Sequence, residues 1–137
     1  MNLIELFYNI EYKISLGWTL KDCLEILNLY NGDDYINYVK KNKNKYNRHV
    51  VISNKNIELV IITWSKGQNS GYHSHPGDCI FKIIENNIVE EKLDLTNKII
   101  EQVYKEGDIG YINNSIGIHN MISIVDTVTL HIYSPPF

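Results

Sequence analysis

The stretch TVTLHIYSPPF, residues 127–137, alternates apolar and polar side chains up to its two prolines. Successive side chains of a β-strand point to opposite faces, so each set would occupy its own face. The apolar set is Val128, Leu130 and Ile132, and the polar set is Thr129, His131 and Tyr133. We expect the apolar face to pack against helices or a second sheet. The polar face then either meets solvent or lines a barrel interior, where buried polar groups need partners.

Similar short runs fill the chain from about residue 47 onward. They are RHVVIS, IELVIITWS, CIFKIIE, IVEEKLDL, KIIEQVY, DIGYIN and HNMISIV. The breaks between them, such as KGQNSG and KEGD, are rich in residues that favour turns. About eight strands with short connections predict a mainly β fold, an antiparallel sandwich or barrel.

The first third of the chain has helical periodicity instead. In NLIELFYNIEYKI the apolar residues recur on one helical face. The next segment, TLKDCLEILNLY, has Thr19 followed three positions later by Asp22, a variant of the capping box. A third short helix is expected in DYINYVKK. These helices are predicted to cover one outer face or edge of the sheet.

The composition is typical of one globular domain. Hydrophobic residues make up 44% and charged residues 21% of the 137 residues, both ordinary values. We therefore expect a single domain over residues 1–137, with a helical part at 1–45 and a β-barrel at 46–137. The net charge of −3 argues against nucleic acid or an anionic membrane as the main partner. No apolar run approaches the roughly 20 residues that span a bilayer.

The N-terminal residues do not have the pattern of a signal peptide, because polar residues interrupt them. We therefore expect a cytoplasmic protein with reduced thiols at Cys23 and Cys79. A disulfide between these two cysteines is the alternative.

A histidine pair lies in GYHSHPGDC, residues 71–79. In an extended strand His73 and His75 point the same way and can bind one metal ion, although two surface histidines are the alternative. His119 follows the NNSIG turn and can project into the same interior, although a lone histidine is more often structural. Together the three rings form an all-nitrogen set that leaves metal positions open. Such ligands suit zinc, nickel or copper as well as iron.

These segments resemble the cysteine dioxygenase family of cupins. The resemblance rests on the histidine pair, on YINNSIGIHN and on the ending TLHIYSPPF, with KYNRHVV and ITWSKG at the expected places upstream. It extends from about Tyr46 to Phe137. It implies a cupin barrel (a double-stranded, jelly-roll-like β-helix) in which His73, His75 and His119 hold a mononuclear Fe(II).

The resemblance also implies roles for other side chains. Cys79 stands where most cupins carry a glutamate ligand, and in the family this cysteine can form a thioether with the tyrosine matched by Tyr133. The result is a protein-derived Cys–Tyr cofactor. His131 matches a residue that hydrogen-bonds the tyrosine hydroxyl. The remaining matches are Arg48 for the substrate carboxylate, Tyr46 for substrate orientation, and Thr129 and Trp64 beside the site.

The implied reaction adds both atoms of dioxygen to the sulfur of L-cysteine and gives cysteine sulfinate. Its partners are a small thiol and O2, and the family is usually monomeric. By the same resemblance, the reaction belongs to cysteine catabolism and taurine biosynthesis. Without a carboxylate ligand, three neutral imidazoles would leave the metal its full positive charge, which favours a thiolate as the next ligand.

Two alternatives stay open at this point. Arg48 favours cysteine over 3-mercaptopropionate, because dioxygenases of the latter carry glutamine there. The sequence stops at Phe137 where animal members continue, so we expect a more open pocket and looser selectivity for small thiols. The other alternative is a non-catalytic, metal-binding cupin that acts as a sensor.

Overall fold

The computed structural model describes residues 1–113, 115 and 117–137. Its helical segments are α1 (Leu3–Ser15) and α2 (Leu24–Asn28), with 3-10 turns at Lys21–Cys23 and Asp34–Tyr38. Its strands are β1 (Asn47–Ser53), β2 (Glu58–Trp64), β3 (Asp78–Glu85), β4 (Asn87–Leu93), β5 (Ile99–Lys105), β6 (Ile109–Ile112), β7 (Ile118–Ile122) and β8 (Thr127–Ser134). The predicted mainly β fold with N-terminal helices is confirmed. None of the described helices is long and apolar enough to cross a membrane.

The second and third helices are shorter than the sequence predicts. The second begins with a 3-10 turn, and α2 itself has only 5 residues. The third is a 3-10 helix. The predicted cap is confirmed, because the Asp22 amide donates to Thr19 Oγ1 at 3.2 Å and the Thr19 amide donates to Asp22 Oδ2 at 3.0 Å. Helices this short have little stability of their own, so packing on the sheet sets their length.

The strands form two antiparallel sheets. One has five strands in the order β1-β2-β8-β3-β6, and the other has three in the order β5-β4-β7. The segment before β3 joins the edge of the smaller sheet through isolated bridges, Asn69 to Ile122 and His73 to His119. The sequence predicts a strand that contains both His73 and His75. In the structure this segment forms no continuous strand, and His73 alone forms a single β-bridge. Pro76 follows this pair and has no N–H to donate to a ladder.

The core lies in two layers, one on each face of the five-stranded sheet. On the outer face, Leu130 and Ile132 pack with residues of α1 and α2. Between the two sheets, Ile62 and Phe81 pack with Met121 of β7 and other residues. The predicted alternation of β8 is confirmed, because its apolar residues face the helices and its polar face lies inside.

A buried lysine ties the helical part to the sheet. Lys82 of β3 is 8% exposed, and its Nζ donates to the carbonyl oxygens of Asn28 and Tyr30, at 2.7 Å each. Both cysteines are free, with Cys23 in the helical layer and Cys79 between the sheets. The alternative disulfide between them is therefore not formed.

Candidate metal centre

A cavity of about 190 Å³ lies between the two sheets. One water molecule needs at least about 10–15 Å³ by the same measure, so the cavity suits a small ligand. Of the ten side chains that the sequence singles out, nine line this cavity. The tenth, Thr129, lies behind the lining and contacts both Trp64 and His131.

The three candidate ligands meet at one point on the cavity wall. Their Nε2 atoms form a triangle, with His73 to His75 at 3.1 Å, His75 to His119 at 2.9 Å and His119 to His73 at 3.1 Å. The backbone brings the loop and β7 together, because His73 and His119 exchange two N–H···O bonds of 2.9 and 3.0 Å. The structure thus places all three imidazoles where one ion can touch them.

In His73 and His119, the nitrogen that faces away from the triangle, Nδ1, has a hydrogen-bond acceptor. His119 Nδ1 lies 2.8 Å from Glu90 Oε2, and His73 Nδ1 lies 3.0 Å from the Gly71 carbonyl oxygen. Both oxygens are acceptors, so each Nδ1 carries a proton, and in the neutral form of the ring each Nε2 directs a lone pair inward. Nδ1 of His75 has no hydrogen-bond partner among the described residues. Converging lone pairs this close repel each other unless a cation lies between them.

The size of the triangle fits one metal ion bound by all three rings. Ligands at right angles are separated by the square root of two times the bond length, about 3.0 Å for metal–nitrogen bonds of about 2.1 Å. Tetrahedral ligands with the same bonds would be about 3.4 Å apart. The observed distances of 2.9 to 3.1 Å are close to both values, so one ion can contact all three nitrogens. Several divalent transition metals suit such an all-nitrogen donor set.

Burial keeps the rings in the form that binds metal. Desolvation, together with the neighbouring His119 and His73, lowers the pKa of His75 to about 4. Desolvation also lowers the pKa of His73, although its hydrogen bond to Gly71 opposes the shift. Neutral imidazole is the ligand form, so protons do not compete for these two rings near neutral pH.

Glu90 is a functional candidate that the sequence analysis missed. It is 0% exposed, and it accepts hydrogen bonds from His119 and, at 3.2 Å, from the Tyr104 hydroxyl. Burial acts to raise its pKa, but the hydrogen bond from His119 and the charge of Lys92 lower the pKa on balance. An ionised carboxylate therefore lies one ring away from the triangle. This negative charge beside the ligand set is not predicted from the sequence.

Cys79 and Tyr133 are direct cross-strand neighbours on β3 and β8. Burial raises the pKa of both the thiol and the phenol, so both keep their protons. The Tyr133 hydroxyl lies 3.4 Å from His131 Nδ1, and Cys79 Sγ lies 3.7 Å from the same nitrogen. The structure thus brings the two predicted partners of the thioether together beside His131.

A chain of hydrogen bonds holds the ring of His131. Its Nε2 lies 3.0 Å from Thr129 Oγ1, which accepts the indole N–H of Trp64 at 2.9 Å. Tyr46 stacks on Trp64 with ring centroids 4.8 Å apart. Desolvation lowers the pKa of His131 well below its usual value, so its ring is neutral.

Arg48 lines the same cavity from β1. Its guanidinium forms a two-point ion pair with Glu58, at 3.2 Å for each N···O pair. Its Cζ lies 5.1 Å from the ring centroid of Tyr133 and 5.6 Å from that of Phe137. Neither Glu58 nor Phe137 is predicted from the sequence to have a role at the site.

The fold and the site together define a cupin with a candidate metal centre of three histidines. A similar solved structure is an RmlC-like cupin protein from Desulfovibrio desulfuricans, with a TM-score of 0.63 and 18% identity, covering 79% of this chain and 99% of that one. A double-stranded β-helix protein from Klebsiella pneumoniae has a TM-score of 0.65 at 18% identity, covering 77% and 90%. At these identities the likeness shows the fold alone, and it confirms the predicted cupin architecture.

The chain belongs to the cysteine dioxygenase type I family, whose model matches residues 19–137. Cysteine dioxygenase type 1 of Homo sapiens is 33% identical over 126 residues, covering 82% of this chain and 63% of that protein. The Rattus norvegicus protein is 33% identical over 119 residues, covering 78% and 60%. The match thus spans less than two thirds of these relatives. The family resemblance is confirmed, although Asn114 and Ile116 of its motif lie outside the described residues.

Proposed function

We propose that this protein is an iron(II)-dependent thiol dioxygenase that converts L-cysteine to cysteine sulfinate. The observation that carries the proposal is the triangle of Nε2 atoms on the wall of a small cavity that also contains Arg48. Membership of the cysteine dioxygenase type I family supports it. The cytoplasmic location and the monomeric state stay predictions.

The side chains around the cavity have distinct roles in this proposal. Fe(II) bound by the three histidines would supply a centre that acidifies the substrate thiol and brings it together with dioxygen. Arg48 binds the substrate carboxylate, with Tyr46 beside it on the cavity wall. Tyr133 holds a proton at its hydroxyl because burial raises its pKa, and His131 fixes the position of that hydroxyl.

The direct test is an assay of the iron-reconstituted protein. We expect oxygen uptake with L-cysteine and an equal amount of sulfinate, detected by mass spectrometry. His119→Ala should abolish turnover or iron retention, whereas His49→Ala should have no effect, since His49 is exposed on β1. Full activity of His119→Ala would contradict the assignment. Bound iron without sulfinate from any thiol would favour the sensor alternative.

The substrate is tested by comparing kcat/KM for L-cysteine with that for 3-mercaptopropionate and other small thiols. Arg48→Ala should raise KM for cysteine by at least about thirtyfold, because a partly buried charge pair is worth roughly 2 kcal/mol or more. An unchanged KM would show that Arg48 does not bind the carboxylate.

We also propose that Cys79 and Tyr133 form a thioether. Their cross-strand pairing supports it. The bond joins the sulfur to a ring carbon, releases two hydrogen atoms and requires dioxygen as the oxidant. Intact-protein mass should therefore fall by two hydrogens after incubation with Fe(II), cysteine and air. Cys79→Ser should show no loss, and an unchanged wild-type mass would overturn this proposal.

A further inference from the structure

Arg48 is already paired before any ligand reaches it. Nη1 and Nη2 each bind one oxygen of Glu58, so the outer end of the guanidinium is occupied. The side chain of Glu58 is 7% exposed and that of Arg48 is 25% exposed. Among the described residues that line the cavity, Arg48 is present and Glu58 is absent. Glu58 thus lies behind the arginine as seen from the cavity.

Glu58 has partners that keep it in this position. Its Oε2 also accepts the backbone N–H of Phe137 at 2.8 Å. Its backbone pairs directly with Tyr133 across β2 and β8. The rings of Tyr133 and Phe137 in turn lie near the guanidinium. The carboxylate is therefore fixed behind Arg48, so a ligand must bind another edge of the guanidinium.

Glu58 engages two of the five donors of Arg48, and Nε lies on the side edge that this pairing leaves open. This Nε is buried and has no hydrogen-bond partner among the described residues. Such a donor is satisfied when a ligand oxygen binds the side edge of the guanidinium, away from the end held by Glu58.

Glu58 also changes the charge that this oxygen meets. The Arg48–Glu58 pair has no net charge, and the described cavity lining includes no lysine. A ligand carboxylate would place a second anion on the same guanidinium, where like charges repel. The hydrogen bond to Nε remains available to a neutral acceptor without that repulsion.

We propose that Glu58 is a specificity-determining residue that makes the Arg48 subsite accept a neutral oxygen acceptor nearly as well as a carboxylate. The substrate class is then small aminothiols that carry an acceptor oxygen, charged or neutral, such as cysteine and its amides. This inference rests on the proposed function, because it concerns how that site selects its thiol.

The test measures binding to the Fe(II)-loaded protein without oxygen. Dissociation constants for L-cysteine and L-cysteinamide give a preference ratio for each protein. Comparing the ratio between proteins removes differences in the thiol acidity of the two ligands and in the folded fraction of each variant. In the wild type we expect the two constants to lie within about tenfold. In Glu58→Gln the preference for cysteine should rise by about tenfold or more, because the charge of Arg48 is no longer compensated.

Three further variants complete the experiment. Glu58→Asp keeps the charge and should keep the wild-type ratio. Glu101→Gln removes an exposed carboxylate from β5 and should also leave the ratio unchanged. If Glu58→Gln does not fold, Glu58→Asn is the second neutral variant. An unchanged or lower preference for cysteine in the neutral variant overturns the inference.

Failure of the inference is distinguishable from failure of the proposed function. The binding ratio is measured without turnover, whereas the function is tested by sulfinate formation in air. A shifted ratio without sulfinate would support the subsite and contradict the dioxygenase. Sulfinate formation with an unshifted ratio would support the dioxygenase and contradict the proposed role of Glu58.

Discussion

His119 donates a hydrogen bond from Nδ1 to the buried carboxylate of Glu90. A negative charge thus contacts one of the three candidate ligands on the side opposite the other two rings. This contact fixes the ring orientation and increases the basicity of Nε2, the nitrogen that faces the other two rings. It also gives the site part of the compensation that a carboxylate ligand would provide. The Tyr104 hydroxyl and Lys92 hold the carboxylate in place.

Glu90→Gln should weaken metal binding by about 10- to 100-fold, because the amide keeps the shape but removes the charge that orients His119. Competition with a chelator, using Fe(II) or Co(II), measures this affinity without any turnover. The control is Glu91→Gln, since the neighbouring Glu91 accepts a hydrogen bond from the exposed Tyr72 hydroxyl and none from His119. Equal metal affinities for the two variants would show that Glu90 has no positioning role.

At the scale of elements, the short helices depend on the sheet beneath them. Lys82 of β3 provides one such attachment through its two bonds to carbonyl oxygens at the end of α2 and just beyond it. Burial alone lowers the pKa of Lys82. Its role is therefore to satisfy buried carbonyl groups that the helix end leaves unpaired.

Lys82→Met should lower the free energy of unfolding by about 1–3 kcal/mol, since it leaves those carbonyl oxygens without a donor. Urea denaturation measures the change. Lys105→Met, at an exposed position of β5, should change stability by less than about 0.5 kcal/mol. If both variants unfold at the same urea concentration, the attachment contributes nothing measurable.

The alternation of each element decided what could be predicted from sequence. β8 alternates cleanly, so its inward polar row was predictable. Glu90 carries a similar signal, because Ile88 two positions earlier is buried on the same face, but a carboxylate in a charged run is usually exposed. β2 is buried along its whole length, so no alternation marks Glu58 as distinctive. The approach of Phe137 to Arg48 depends on tertiary packing.

For the whole molecule, the buried histidines link stability to pH. The pKa values of His73, His75 and His131 are lowered, chiefly by desolvation. An unfolded histidine has a pKa of about 6.5, so below that pH the unfolded chain binds more protons than the folded one. Stability therefore falls as the pH falls from about 6.5 towards about 4, where His75 becomes protonated in the folded protein.

The metal-free protein should accordingly melt several degrees lower at pH 5 than at pH 7. Calorimetry across this window reports mainly the histidines, because carboxylates are largely ionised above pH 5 in both states. His75→Gln should reduce the slope, since it removes one of the linked groups. A melting temperature that does not change between pH 5 and 7 would contradict these shifts.

The paired backbone bonds between His73 and His119 join a loop to β7 across 46 positions of sequence. In an unfolded chain only His73 and His75 are close enough in sequence to bind one ion together, and two ligands bind it weakly. A metal that engages all three rings consequently favours the native state by mass action. Part of the thermal stability of the protein would then come from the bound metal ion. Removing the ion with a strong chelator would lower the melting temperature.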